Sequence, residues 1–327
     1  MRAFVLRRAW QALVVIAVVT TATFILIHLA PGDPIGGGLD DPRVPEAVRA
    51  HWRAVYGLDQ PLAVQFVRYL AGAARGQFGY SFAYNESVST ILARALPRTI
   101  LLAGSALILS FVAGIAMALI QVARHGTATD RVIGVASLAV YSLPEFWLGQ
   151  VALLTFAYVL PIFPAGGMVD PVMHPYMGPL AAFWDRIDHL ILPALTLSVL
   201  TAAGIARFQR AALLDVAADD YLRTARAKGV PERSVLMRHA LRNAALPVIT
   251  LFGLALPAFF GGTVFIEKVF SWPGIGSLAV DAVTARDYPV VIACAVIGSV
   301  LVAGGSFLAD VLYAVADPRL RRAPGPA

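Results

Sequence analysis

Few side chains in this sequence have the chemistry needed for catalysis or metal binding, and they form no known catalytic spacing. Cys294 is the single cysteine, and Lys228 and Lys268 are the only lysines. Neither a G-x-x-x-x-G-K-[ST] phosphate loop nor an H-E-x-x-H metal pair occurs in the chain. One cysteine cannot form a disulfide within the chain. The sequence therefore predicts a non-catalytic protein that holds no metal and no cofactor of its own.

The carboxylate with the clearest potential for chemistry is Glu145, which follows Pro144 inside a long apolar stretch. A carboxylate at membrane depth is costly and is a functional candidate by default. Pro144 lacks a backbone N–H and should kink a helix there, which would admit water to the neighbouring side chain. Pro144 and Glu145 are therefore candidates for a translocation path, with a structural role for Glu145 as the equal alternative.

The most basic connection lies between residues 213 and 243, a segment that we call the elbow. Its pattern predicts two short helices, one ending at Lys228 and one beginning at Pro231, because glycine favours the position after a helix and proline the first turn. Gly229 would form the turn between them. A basic elbow has two interpretations: an ordinary loop that contacts anionic lipid, or a docking element for another subunit.

The composition indicates a membrane protein. Of the 327 residues, 58% are hydrophobic and 14% are charged, whereas soluble domains have roughly 45–50% apolar and about 25% charged residues. Six apolar stretches are near the ~20 residues that span a bilayer. They are residues 9–30, 99–123, 132–160, 190–212, 244–266 and 289–315. The fold class predicted is an all-α polytopic membrane protein with six transmembrane helices.

The distribution of arginine and lysine predicts the orientation. The N-terminal tail, the 124–131 connection, the elbow and the C-terminal tail carry most of these residues, so both termini should face the cytoplasm. The net charge of +6 is explained by these loops rather than by nucleic-acid binding. Arg207 and Arg210, near the inner end of the fourth span, are explained by snorkelling to lipid headgroups.

Four regions follow from these spans. Residues 1–30 form a cytoplasmic tail and the first helix, and residues 31–98 form a small external segment with short helices near 45–56 and 61–74. Residues 99–315 form a five-helix core that includes the elbow as a cytoplasmic loop, and residues 316–327 form a cytoplasmic tail.

Several motifs in this order resemble permeases of binding-protein-dependent ABC importers, in the dipeptide, oligopeptide and nickel branch. The resemblance is carried by residues 57–61 (GLDQP), 76–81 (GQFGYS), 142–149 (SLPEFWLG), 221–229 (YLRTARAKG), 239–243 (HALRN), 269–276 (VFSWPGIG) and 310–319 (DVLYAVADPR). The general signature of such permeases begins Glu-Ala-Ala, whereas this sequence has Arg223, Thr224 and Ala225 at those positions. In this departure the sequence resembles the peptide branch of the family.

The resemblance implies a role for the elbow. In the family this loop inserts into a groove of a cytoplasmic ATPase and transmits its movement to the helices. The residues so implied are Tyr221, Arg223, Thr224, Ala225, Arg226, Lys228, Gly229, His239, Arg242 and Asn243. Trp272, Pro273 and Gly274, together with the external segment, would contact a binding protein.

The resemblance also implies the partners and the substrate. A second permease subunit, two ATPases that bind ATP and Mg, an external substrate-binding protein and membrane lipid are expected, in a bacterial or archaeal cytoplasmic membrane. Di- or oligopeptides would be imported, with nickel chelates or glutathione as alternatives. A secondary transporter is the alternative of a different class; it would show inverted repeats and several intramembrane charges, and this sequence shows no repeat and few such charges.

Overall fold

A computed structural model describes residues 2–29, 45–47, 59–81, 83–244 and 246–316. These residues are mostly helical, as predicted, with one short antiparallel hairpin. Four helices are long and apolar enough to cross a membrane, and the number rises to six if each of two bent helix pairs is one span. The polytopic helical class is therefore confirmed.

The helices are numbered here in chain order. They are α1 Arg2–Leu29, α2 Leu62–Ala73, α3 Val88–Ala123, α4 Ala128–Tyr141, α5 Glu145–Leu153, α6 Pro179–Ala217, α7 Asp220–Ala227, α8 Glu232–Ser234, α9 Leu241–Ala244, α10 Leu246–Val269, α11 Ile275–Thr284 and α12 Tyr288–Ala316. The hairpin pairs β1 Tyr80–Ser81 with β2 Glu86–Ser87. Single π-helical turns follow α5 at Leu154–Val159 and α8 at Val235–Ala240, and a 3-10 turn covers His174–Tyr176.

Two spans are longer than the apolar stretches predicted. The helix α3 has 36 residues and begins at Val88, because the hydroxyl of Ser87 accepts a hydrogen bond from the backbone N–H of Thr90 and caps it. The helix α6 has 39 residues. At 1.5 Å per residue α3 is ~54 Å long, well beyond a hydrocarbon core of ~30 Å. Hydropathy marked only residues 99–123 of α3 and 190–212 of α6, since the residues that precede these stretches in each helix include charged and polar side chains.

The third apolar stretch was predicted as a single helix kinked at Pro144, and this prediction of one continuous helix is wrong. The helix α4 ends at Tyr141, with Ser142 as its C-cap, and α5 begins at Glu145. The axes of residues 128–141 and 145–159 differ by 106°. Proline disfavours helical geometry at the residue before it and suits the start of a helix. Pro144, at ψ 134°, therefore starts a new helix instead of bending an existing one.

The core lies between α3, α6 and α10. The most extensive helix contact is between α3 and α6, and α1 packs chiefly against α12. Large buried side chains from three helices and the following loop meet in this core: Leu102, Leu192, Phe259, Ile266, Phe270 and Trp272. The two halves of α10, residues 251–259 and 261–269, are bent by 49°. The core thus packs the long helices α3, α6 and α10 against one another.

Part of the predicted external segment and of the tail lies outside the described residues. The short helix predicted near residues 61–74 is confirmed as α2. Most of the helix predicted near 45–56, residues 57–58 of one motif and the tail from residue 317 onward are outside the described residues.

Candidate functional site: the elbow and the opposite end of the bundle

The turn of the elbow is built around Gly229. Its φ is +77°, a left-handed conformation that L side chains rarely adopt. The N–H of Gly229 donates to the carbonyl of Arg226 at 2.9 Å, and the N–H of Val230 donates to the carbonyl of Ala225 at 3.2 Å. This pair of bonds is the Schellman motif, which satisfies the last carbonyls of α7. The predicted end of the first short helix at Lys228 and the predicted turn at Gly229 are confirmed.

One side of the elbow is apolar and fixes it to the bundle. Leu222 and Val235 are fully buried, and they pack against the ends of two long helices. The cluster contains Ala118 from α3, Leu213 from α6, and Leu222, Val235, Leu236, Ala240 and Ala244 from the elbow and its end. Burial of several aliphatic side chains, each worth roughly 1.5–3 kcal/mol, holds the elbow as a unit with α3 and α6.

An ion pair joins the two arms of the elbow across the turn. Arg226 on α7 donates from Nε to Glu232 Oε2 at 3.1 Å and from Nη2 to Glu232 Oε1 at 3.0 Å. The hydrogen bonds from Arg226 lower the pKa of Glu232 and raise the pKa of Arg226. Both side chains are partly exposed, so the pair contributes modestly to stability and acts chiefly by fixing the angle between the arms.

A second link closes the elbow at its base. The amide nitrogen of Asn243 donates to the hydroxyl of Tyr221 at 2.7 Å, which joins the start of α7 to α9. The hydroxyl of Thr224 donates to the carbonyl of Asp220 within α7. Tyr221, Thr224, Arg226, Gly229 and Asn243 therefore have structural contacts inside the elbow.

The opposite side of the elbow is exposed and cationic. Arg223, Lys228 and Arg242 are exposed, whereas Ala225 and His239 are partly buried. Met237, which the sequence analysis did not single out, is 51% exposed and precedes exposed Arg238. Met237 lies in the π-helical turn, and the extra residue of that turn changes the direction of the side chains after it, which helical periodicity does not reveal. The structure thus brings the ten predicted residues into one elbow with an apolar side packed on the bundle and an exposed polar side.

Glu145 lines a cavity of about 330 Å³ between α4, α6 and α10, whereas Pro144, the residue before it, is not part of the lining. Glu145 is the single charged residue among the lining side chains within the described residues, and its Oε1 atom is buried with no hydrogen-bond partner there. The other lining residues include Tyr141, Gly204 and Phe259. Glu145 thus lines an open cavity, and the translocation-path role of Pro144 and Glu145 stays a prediction.

At the opposite end of α3, the 267–287 segment (residues 267–287) is organised around buried Glu267. Its Oε1 accepts from the hydroxyl of Thr99 at 2.7 Å, and its Oε2 accepts from the N–H of Ser277 at 2.9 Å. The N–H of Ile275 donates to the same Thr99 hydroxyl at 2.8 Å. Together these groups satisfy the first amides of α11, which fixes the path of the segment.

Trp272 and Gly274 are buried in this segment, which disagrees with their predicted contact with a binding protein. Trp272 is fully buried and donates from Nε1 to the carbonyl of Arg98 at 3.0 Å. A Cβ atom at Gly274 would lie 2.3 Å from Oε1 of Glu267, so only glycine fits there. Pro273 is partly buried and lines an exposed cavity of about 430 Å³ with Arg94 and Lys268. The prediction placed Trp272 at the surface because its neighbours in the sequence do not reveal its hydrogen-bond partner, the carbonyl of Arg98, which lies more than a hundred residues away.

Within the described residues, no group of three or more His, Cys, Asp or Glu side chains has a geometry that suits a metal ion. His174 and His189 both approach the carboxylate of Asp185, the closer from His174 Nδ1 at 2.5 Å. This cluster ties the connection between α5 and α6 to the start of α6.

Comparison with known proteins agrees with this geometry. Residues 83–322 match the family described as the inner membrane component of binding-protein-dependent transport systems. Residues 1–103 match the N-terminal family of the membrane components of such systems. The first match includes α3 to α12 and therefore the elbow.

Similar proteins of nearly the same length are also known. The chain is 39% identical over 321 residues to the oligopeptide transport system permease protein AppB of Bacillus subtilis, covering 98% of this chain and 99% of that protein. It is 37% identical over 333 residues to the di/tripeptide transport system permease protein DppB of Pseudomonas aeruginosa, with coverage of 98% and 99%. It is 36% identical over 321 residues to the glutathione transport system permease protein GsiC of Escherichia coli, with coverage of 97% and 98%.

The matched family covers most of the chain, and these relatives align over almost its entire length. The chain therefore belongs to the family of inner membrane components of binding-protein-dependent transport systems.

Proposed function

We propose that this chain is the permease subunit of an ABC importer that moves di- or oligopeptides across the cytoplasmic membrane of a bacterium or archaeon. The observation that carries the proposal is the elbow, which joins a rigid apolar side on α3 and α6 to an exposed side that carries most of its basic residues. Such an element transmits force from a bound subunit to the long helices. The membership in a transport family supports the same function.

The topology that we propose has six spans with both termini in the cytoplasm. It rests on the arginine and lysine asymmetry, and it counts each bent pair as one span. A cysteine at position 60 should react with an impermeant thiol reagent added from outside, and a cysteine at position 233 should not, both in a Cys294→Ala background. Gln60 and Arg233 are replaced because they lie on opposite sides of the proposed membrane. The reverse labelling pattern would overturn this topology.

The proposed partners are a second permease, two ATPases that bind ATP and Mg, and an external binding protein. The chain has no phosphate loop, so hydrolysis would come from the ATPases. Purified alone, the chain should show no ATPase activity above a mock preparation. With its ATPases the activity should appear, and liganded binding protein should raise it. ATP hydrolysis by the chain alone would contradict the assignment.

Peptides are the proposed substrate class, supported by relatives whose names specify oligopeptide and di/tripeptide transport. Glutathione is the second candidate, because a relative of similar identity is a glutathione permease and glutathione is itself a small peptide. Purifying the complex with its binding protein and identifying the bound ligand by mass spectrometry separates the two. A mixture of linear peptides supports the first candidate, glutathione alone supports the second, and a nickel chelate would contradict both.

A further inference from the structure

An ion pair between a partly exposed arginine and a buried carboxylate joins α6 to α4 close to the elbow. The side chain of Asp130, in the first turn of α4, is 6% exposed. Its Oδ1 accepts from Arg210 Nε at 2.8 Å and its Oδ2 accepts from Arg210 Nη2 at 2.8 Å. This is the two-pronged geometry that makes arginine–carboxylate pairs directional. Snorkelling of Arg210 to headgroups is therefore the wrong interpretation of its role in the chain.

The remaining groups around Asp130 hold the same corner together. The N–H of Gly126 donates to Oδ2 at 3.2 Å, and the amide of Gln121 donates to Oδ1 at 3.3 Å. The Nδ1 atom of His125 lies 3.3 Å from Asp130 Oδ2 and 3.3 Å from Arg210 Nη2. The end of α3, the connection to α4 and the end of α6 are thus bound to one carboxylate.

Arg210 lies on the part of α6 that is fixed to the elbow. Leu213, three residues further along the same helix, is fully buried in the elbow's apolar cluster. The helix α6 continues without interruption to Ala217, and α7 begins at Asp220. A displacement of the elbow must therefore move Arg210 with it.

The far end of α4 reaches the cavity. Tyr141, the last residue of α4, lies against Gly204 of α6, since a Cβ there would lie 3.3 Å from the Tyr141 ring. The guanidinium carbon of Arg207 lies 6.0 Å from the centre of the same ring. After Tyr141 the chain breaks and Glu145 enters the cavity lining. The helix α4 thus has an ionic attachment at its start and a looser aromatic contact beside the cavity.

We propose that Asp130 and Arg210 form a positioning pair through which movement of the elbow turns α4 and the 142–145 break beside the cavity. This inference rests on the proposed function. The pair is a fixed joint because its two parallel bonds resist rotation as well as separation. The Tyr141 ring contacts Gly204 and Arg207 of α6 without a hydrogen bond among the described residues, so this end of α4 is free to shift along α6. Neither residue touches the ATPase or the substrate; the pair acts through α4.

The test follows two distances in the assembled transporter. In a Cys294→Ala background, spin labels are placed at Arg233→Cys on the elbow or at Val135→Cys on α4, each paired with Val300→Cys on α12. Val135 and Val300 have exposed side chains, which accept a label. Distances are measured without nucleotide and after trapping with Mg-ATP and vanadate. In the protein that retains Asp130 and Arg210, both the elbow distance and the α4 distance should change on trapping.

Asp130→Asn should separate these two movements. The elbow distance should still change on trapping, while the change in the α4 distance should fall by about fivefold or more. Arg210→Gln should act in the same way, and Arg210→Lys should retain an intermediate change. The control is Arg131→Gln, which removes a cation from the next position; Arg131 is exposed and forms no ion pair among the described residues. This control should behave as the unmodified protein.

The results distinguish the possible failures. An α4 movement that persists in Asp130→Asn, or that is lost equally in Arg131→Gln, overturns the positioning pair. Loss of both movements in Asp130→Asn, at matched abundance and with Arg210→Lys equally affected, also overturns it, because the pair would then serve folding alone. Absence of any nucleotide-dependent change in the unmodified complex overturns the proposed function itself, and the inference with it.

Discussion

The elbow and the 267–287 segment both turn the chain between long helices, but different groups hold the two turns. The elbow is closed by a glycine turn and by an ion pair and a hydrogen bond whose side chains are exposed. The 267–287 segment is closed by carboxyl groups of Glu267 and Asp287, which are 0% and 1% exposed. The elbow therefore keeps its polar groups available to a partner, whereas the segment uses its polar groups to fix its own fold.

This difference predicts that substitutions in the two regions fail in different ways. Loss of a buried acceptor leaves several donors without partners and damages folding. Loss of an exposed contact changes the geometry of a surface and leaves folding nearly intact. Each of the following tests extends or breaks that contrast.

The largest effect is expected from Glu267→Ala. The Thr99 hydroxyl and the Ser277 N–H would lose their acceptor in a buried place, at about 1–3 kcal/mol for each group. Thermal unfolding of the purified protein should shift strongly to lower temperature, with reduced membrane abundance. Glu86→Ala is the control, because Glu86 is a partly exposed carboxylate paired with Arg94. Equal Tm values for the two variants would contradict the expectation that loss of a buried acceptor costs more stability than loss of an exposed one.

The next effect is expected from Gly229→Val. A Cβ at position 229 meets nothing within 4 Å, so the penalty is purely conformational and amounts to roughly 1–3 kcal/mol. The protein should insert at normal abundance and lose transport or co-purification of its ATPases. Gly229→Asn is the control, since asparagine tolerates this conformation better than valine. Transport at the unmodified rate by Gly229→Val, with the ATPases bound, would refute the coupling role of the elbow.

Arg226→Glu should have a moderate effect that a second change reverses. The substitution places two carboxylates at the ion pair and removes roughly 0.5–1 kcal/mol of interaction. The double variant Arg226→Glu with Glu232→Arg should restore transport if the pair only braces the elbow. Failure of the double variant to recover, at matched abundance, would show that Arg226 contacts the ATPase directly.

The same pair gives an expected dependence on pH. Because Arg226 lowers the pKa of Glu232 in the folded protein, the brace is complete above the ordinary pKa of a glutamate. It is lost as the pH falls through the lowered pKa of Glu232. The elbow contact should therefore be constant around neutral pH.

The smallest effect is expected from Tyr221→Phe. It removes the 2.7 Å hydrogen bond from Asn243 at an exposed site, worth less than the ~1 kcal/mol of a typical bond. Tm should be unchanged, and ATPase co-purification should fall only slightly. Tyr176→Phe, at a residue that is 86% exposed, is the control for the loss of a hydroxyl. A large loss of ATPase binding would mean that Tyr221 itself contacts the ATPase.

Local chemistry predicted the elbow well because its turn depends on residues close in sequence. The helix stop at Gly229 follows from glycine at the end of an α-helix, and the structure has a positive φ at that glycine. The Arg226–Glu232 pair was not predicted, since six residues and a turn separate its members. Helical spacing shows only neighbours three or four residues apart.

Distant contacts set the limits of prediction at the other sites. Trp272 in a motif near an apparent loop suggested a surface residue, but its N–H bonds to the carbonyl of Arg98 inside the core. Arg210 near a helix end suggested snorkelling, but its partner Asp130 is 80 residues away. Pro144 correctly predicted where the helix is interrupted. The change in direction is larger than the predicted kink, because the angle between the two helices depends on what α4 and α5 pack against.

The helix α3 connects the two regions directly. Val88, at its first residue, is 0% exposed in the cluster beside α11, and Ala118 is 0% exposed in the elbow cluster. These residues lie ~45 Å apart along the axis at 1.5 Å per residue. If one end is held and α3 tilts by about 5°, the other end moves by roughly 4 Å, about the width of a side chain. The helix α3 is therefore packed at one end against the 267–287 segment and at the other against the elbow, so a tilt that starts at one end displaces the other.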